Sequence, residues 1–110
     1  AFSSEMDELE SDDLKISSAA NAEDELAMTA SSFEQWDELL SEMYDYLSGV
    51  LNADQYASEE ANYKQWVAER DSGAENAASE TDDSTQKQLA SYSFKQSYTK
   101  ARCYKLLDMM

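Results

Sequence analysis

The chain predicts an all-α fold: an elongated antiparallel three-helix bundle with a flexible acidic N-terminal segment. Three observations carry this expectation. There is no proline, and there are only two glycines, Gly49 and Gly73, in 110 residues. Strand-and-turn folds need more punctuation than that. The composition is rich in Ala, Glu, Leu, Gln, Lys and Met, all good helix formers. Apolar residues recur at steps of three and four through long stretches, the spacing of helix packed on helix. At this length the chain is one domain with a modest core.

Taken in order, residues 1–20 are dense in Ser, Asp and Glu. Met6, Leu9, Leu14 and Ile16 are too sparse to specify a face, so this segment reads as a flexible tether. The helical domain is expected over 21–110. Asn21 can N-cap, with Asp24 three residues later imitating a capping box. A first helix follows over about 22–51. Its seam is Phe33, Trp36, Leu40, Met43, Leu47 and Val50, with steps of 3, 4, 3, 4 and 3. Leu26 precedes it, and Tyr44 and Leu51 widen it. The stretch "GVLNADQ" breaks the pattern, with Asn52 or Asp54 able to cap the next helix. That second helix is expected over about 55–80, with Tyr56, Tyr63, Trp66, Val67, Arg70, Ala74 and Ala77 on its face. Its small residues would let a neighbour approach closely. "SETDDST" ends it, and Asp83 with Gln86 opens a third helix over about 85–109. Leu89, Tyr92, Gln96, Thr99, Cys103, Leu106 and Met110 form its seam. Short loops between three seams imply antiparallel neighbours. Helices this long make a body roughly 40 Å in length at 1.5 Å per residue.

A register follows from the two loops. Turning near residue 53 sets Leu40 level with Trp66, and Trp36 and Asp37 level with Arg70. Turning near residue 82 sets Trp66 level with Thr99, and Tyr63 level with Arg102. Trp66 is therefore expected against Leu40, and Arg70 within salt-bridge reach of Asp37.

The net charge of −16 is unevenly placed. Residues 1–60 hold 17 acids and one base, Lys15, whereas residues 61–110 hold seven of each. Nucleic acids and anionic membranes need cationic surface, so neither is an expected partner. The acidic half allows attraction to a basic partner, beside the plainer reading of a solvated face. One cysteine, Cys103, excludes an internal disulfide framework and reads as a small buried hydrophobe. No apolar run reaches the length of a membrane span.

Nothing in the chain points to catalysis. There is no histidine, so serine and cysteine lack their usual base and His-ligated metals are excluded. Asp12–Asp13 and Asp82–Asp83 lie in expected loops, without the glycine turn and distal glutamate of a calcium loop. Carboxylate acid/base chemistry needs a cleft with two distinct environments, and a slim bundle offers little room. No catalytic residue, metal or cofactor is expected. Among the aromatics, Phe33, Trp36, Tyr63 and Trp66 fall on seams and read as core. Tyr46, Tyr98 and Tyr104 lie off the seams and would suit a contact surface. Arg70 is the sharper case: a guanidinium on an apolar seam must be paired, and Asp37 and Asp71 are the nearest acids. The alternative is direct contact with a partner. Arg102, beside Thr99 and Cys103, poses the same choice.

Three segments occur in a telling order: "FEQWDELLSEMYDYL", "QWVAERDSGAENAASE" and "YTKARCYKLL". Together they resemble the LprI-like lysozyme inhibitor family, a domain of bacterial envelope proteins. The family's "W-x3-RD" element is matched by Trp66, Arg70 and Asp71, and its "T-x2-R-x3-L" element by Thr99, Arg102 and Leu106. An aromatic-rich element before them is matched by Trp36, Asp37, Leu40 and Tyr44. The likeness spans about residues 26–108. Ser41 stands where the family usually has Asn, and Ala74 stands where many members have a cysteine. The chain is thus similar to the cysteine-poor Gram-positive type, without the family's disulfide. The resemblance implies an extracytoplasmic protein, either secreted or held at the cell envelope by a lipid anchor upstream of Ala1. It implies a protein partner, a basic lysozyme, inhibited by blocking its cleft. The alternative is a structural or interaction module of the cell envelope with no lysozyme target. The motif residues read as structural, and neither the contact residues nor the oligomeric state follow from the sequence.

Overall fold

The computed structural model describes residues 2–110. Among the described residues there are four α-helices: α1 over Phe2–Asp13, α2 over Ala22–Val50, α3 over Ala53–Ala78 and α4 over Ser84–Met109. A short 3-10 turn over Leu14–Ser18 follows α1. The all-α class holds, but the expected count of three helices is corrected to four. The segment read as a flexible tether is instead α1 and its 3-10 turn. Met6 is its anchor, only 1% exposed within the core.

Local chemistry sets the helix ends. The Asn21 side chain accepts from the Asp24 backbone N–H at 2.9 Å. Asn52 and Gln55 form a reciprocal capping box, each side chain accepting from the other's N–H, at 2.8 and 3.1 Å. The Asp83 carboxylate accepts from the Gln86 N–H at 2.9 Å. Each cap satisfies donors that the first helical turn leaves unpaired.

α2 and α4 run parallel and share the largest face. Ser32 meets Gln96 and Trp36 meets Cys103, so residue numbers rise together along both helices. α3 returns antiparallel between their ends and packs closely on α4. Gly73 makes part of this approach possible: a Cβ there would sit 2.2 Å from the Phe94 ring. α2 and α3 meet instead through long side chains, Asp37 with Arg70 and Tyr44 with Tyr63. α1 runs antiparallel to both α2 and α4. Phe2 lies against Tyr46, and thirteen-numbered Asp13 reaches Ser32, Trp36 and Gln96.

The core joins Trp36, Leu39, Leu40, Met43 and Leu47 of α2 to Trp66 of α3 and Cys103 and Leu106 of α4. Trp66 and Leu40 both belong to this cluster, and Arg70 pairs with Asp37 as the register required. The seams do not stay buried to their ends. Val50 is 56% exposed and Met110 41% exposed, although both continue their helix's apolar repeat. The molecule measures 47 × 29 × 16 Å, an elongated, flattened body.

Candidate functional site

The motif residues converge where α2, α3 and α4 meet, and Trp66 lies at the centre. Its ring stacks on Tyr63 at 5.8 Å and on Tyr98 at 5.5 Å, the latter almost parallel at 3°. Two guanidiniums flank the same indole: Arg70 at 5.2 Å and Arg102 at 5.8 Å from the ring. Cations over an indole face are attracted by its ring quadrupole. Positions 63, 66 and 70 share one face of α3, while 98, 99 and 102 share one face of α4. Helical spacing alone therefore brings these groups together.

Arg70 is held within the chain through Nη1 and Nε. Nη1 donates to Asp37 at 3.1 Å and to Thr99 Oγ1 at 3.4 Å, and Nε donates to Asp71 at 3.2 Å. The expected pair with Asp37 is present, and it ties α2 to α3. Phe33 lies against the same guanidinium at 5.3 Å. Arg102 is paired more deeply. It donates to Tyr44 Oη at 3.1 Å and to Glu59 at 2.5 Å, and Tyr44 in turn donates to Glu59 at 3.3 Å. Burial pushes the Tyr44 hydroxyl up to about 12, against the opposing pull of Arg102. Burial likewise pushes the Cys103 thiol up to about 12, with the Asp37 charge adding to it. Leu40, Leu106 and Trp36 complete the packing beneath, each at most 1% exposed.

A second polar cluster lies where α1 ends. The Asp13 carboxylate accepts from Ser32, from Trp36 Nε1 at 2.9 Å, from Gln96 at 3.1 Å and from Lys100 at 2.7 Å. Lys100 also reaches Glu10 at 2.6 Å. Burial pulls the Lys100 pKa down, but its bonds to Asp13 and Glu10 outweigh that, and the value rises. Tyr104 donates to Glu10 at 3.0 Å, so one of the off-seam tyrosines fastens α1. Tyr98 donates to Glu69 at 3.3 Å. Tyr46 remains half exposed and packs on Phe2, whereas Tyr104 lies against Trp36 and Tyr98 against Trp66.

Sequence reasoning missed Glu59, Asp13, Glu10 and Lys100. A signal for Glu59 was present: Tyr56, Glu59, Tyr63, Trp66 and Arg70 continue steps of 3, 4, 3 and 4. A charged residue on a seam is silent in an apolar repeat until its partner is known. All ten motif residues now have a place. Trp36, Leu40, Tyr44, Trp66, Arg70, Thr99, Arg102 and Leu106 are buried, while Asp37 and Asp71 lie at the rim with Arg70. No buried side-chain polar atom among the described residues lacks a hydrogen bond. No cluster among the described residues has the make-up of a metal site.

No helix among the described residues is long and apolar enough to cross a membrane. The lipid anchor expected upstream of Ala1 lies outside the described residues. No curated protein and no solved structure matches the chain. The family model described as "Lysozyme inhibitor LprI" matches residues 16–106, which include every motif residue named above. With most of its length under that model, the chain belongs to the LprI lysozyme inhibitor family.

Proposed function

We propose that this protein is an extracytoplasmic lysozyme-inhibitor-like protein that acts by protein–protein contact. The observation that carries the reading is the family match over residues 16–106. The charge distribution supports it: α2 carries eight acids and no base, so a basic lysozyme would be drawn to it. Contact falls to surface side chains, because the motif arginines are committed to Asp37, Asp71 and Glu59. Residues 1–20 and 21–110 then act as one binding body, with the acidic first segment adding to its field. No chemistry is asked of the chain; it blocks the muramidase cleft sterically.

The test is a muramidase assay on cell-wall substrate, with purified protein against several lysozyme types at low and moderate salt. Inhibition at micromolar protein or below, weakening as salt rises, is the expected result. No inhibition of any lysozyme at micromolar protein rejects the proposal. One feature favours a second reading in that event: the motif residues are used in packing, so the motif marks a fold as much as an activity. The protein would then be an envelope interaction module, and a non-lysozyme partner recovered from envelope extracts would support it.

A further inference from the structure

The apolar seams run out at one end of the molecule. α2 and α4 finish together there, and the N-terminus of α1 joins them. Among the described residues, four of the six large apolar residues that stand exposed lie at this end: Tyr46 and Val50 near the end of α2, Met109 at the end of α4 and Met110 just past it. Phe2, Tyr46, Leu107 and Met110 line a groove of about 430 Å³ at this end, with Glu5 and Ser3 on its edge. Phe2 packs edge-on against Tyr46 at 5.8 Å and forms one wall. The hydroxyls of Tyr44, Tyr98 and Tyr104 each bond a carboxylate, whereas that of Tyr46 bonds none of the described residues. Val50 and Met110 extend their helix repeats into open space. Their packing with the rest of the seam is incomplete.

The rim decides what can complete it. Along α2 the exposed residues Glu34, Glu38, Glu42, Tyr46 and Val50 recur every four positions, so an acidic row leads into the apolar end. Glu5 and Asp108 are exposed on α1 and α4, against Lys105 as the one base in the last two turns of α4. A second copy would bring another −16 to this surface and be repelled. A cationic partner would be attracted. The groove volume suits one or two side chains rather than a whole helix. Tyrosine is among the residue types enriched at interface hot spots.

We infer that this groove is the docking surface for the basic partner, seating an apolar side chain that lysine or arginine flanks on the partner's surface. The inference rests on the lysozyme-binding reading above and names where on the chain that contact is made. The two parts of the surface act on different rates. The acidic row speeds encounter and is screened by salt, whereas the apolar seat holds the complex once formed.

The experiment measures association and dissociation rates of the full chain with a basic lysozyme that it inhibits. The double variant Tyr46→Ser with Val50→Ser should raise Kd at least about tenfold through faster dissociation, with an unchanged helical spectrum and Tm. Glu38→Gln with Glu42→Gln should slow association at low salt and leave dissociation unchanged. Leu14→Ser, at the far end of α1 and also exposed, should change neither rate. Unchanged affinity of the Tyr46/Val50 double variant for a lysozyme that the parent binds overturns this surface and leaves the functional proposal standing. A parent chain that binds no lysozyme overturns both. A concentration-dependent dimer of the parent, abolished by the same double variant, overturns the choice of a basic partner over a second copy.

Discussion

Arg70 and Arg102 look alike in sequence, each on an apolar seam, yet their surroundings predict different losses. Arg102 and Glu59 are buried together, with side chains 8% and 12% exposed. Removing the arginine strands a buried carboxylate and the Tyr44 hydroxyl, so Arg102→Ala should cost about 3–5 kcal/mol. Asp37 and Asp71 beside Arg70 are 40% and 52% exposed and can return to water. Arg70→Ala should therefore cost less, about 1–3 kcal/mol. Urea denaturation of both variants checks the order. Equal losses would refute the ranking, and an unchanged Arg70→Ala Tm with lost partner binding would make Arg70 a contact residue. Cys103 offers a separate test. Its thiol is wholly buried and its pKa is pushed up to about 12. It should resist a thiol reagent at pH 8 in the native protein and react at once in denaturant. The pairing of Arg70 with Asp37 was legible because two loop positions set the register. The pairing of Arg102 with Glu59 was not, because hydrophobic periodicity skips a charged seam residue.

At the scale of elements, α1 is where expectation and structure part. Phe2, Met6, Leu9 and Asp13 follow steps of 4, 3 and 4, but the last of them is an acid. Counting only apolar residues leaves a pattern too thin to call a face. In three dimensions Asp13 serves as the seam's end, because Trp36, Gln96, Lys100 and Ser32 all donate to it. A charge with that many donors is satisfied despite its burial. Met6→Ala tests whether the helix contributes to folding. A docked helix predicts a loss of about 2–4 kcal/mol in ΔG of unfolding, from lost contacts and the cavity left behind. A free tether predicts no change. The other three helices were placed within about two residues at either end, since caps and turn residues act locally.

For the whole molecule, alkaline pH is the sharpest probe. Tyr44, Cys103 and Lys100 all hold their protons more tightly in the folded chain than at their ordinary values of 10.0, 9.0 and 10.5. A raised folded pKa stabilises fully below the unfolded value and is lost as pH climbs through the folded one. Stability should therefore hold up to about pH 9 and fall by about 2–5 kcal/mol towards pH 12, given two thresholds near 12. Denaturant midpoints at pH 8, 10 and 11.5 check this, and a flat profile would contradict the burial of these groups. Arginine keeps its charge throughout, so the loss belongs to the thiol, the amine and the phenols, Tyr63, Tyr98 and Tyr104 being raised in the same direction as Tyr44.

The sequence by itself determined three long helices, their caps, the α2–α3 register and the family. These depend on backbone bonds four residues apart, on capping side chains and on apolar spacing, all short-range or periodic. Tertiary structure alone decided that α1 docks, that Glu59 and Asp13 become hubs, and that Val50 and Met110 are left open. Burial and ion pairing depend on what a distant part of the chain places alongside. The same seam position is core beside Leu106 and surface where α2 and α4 run out together.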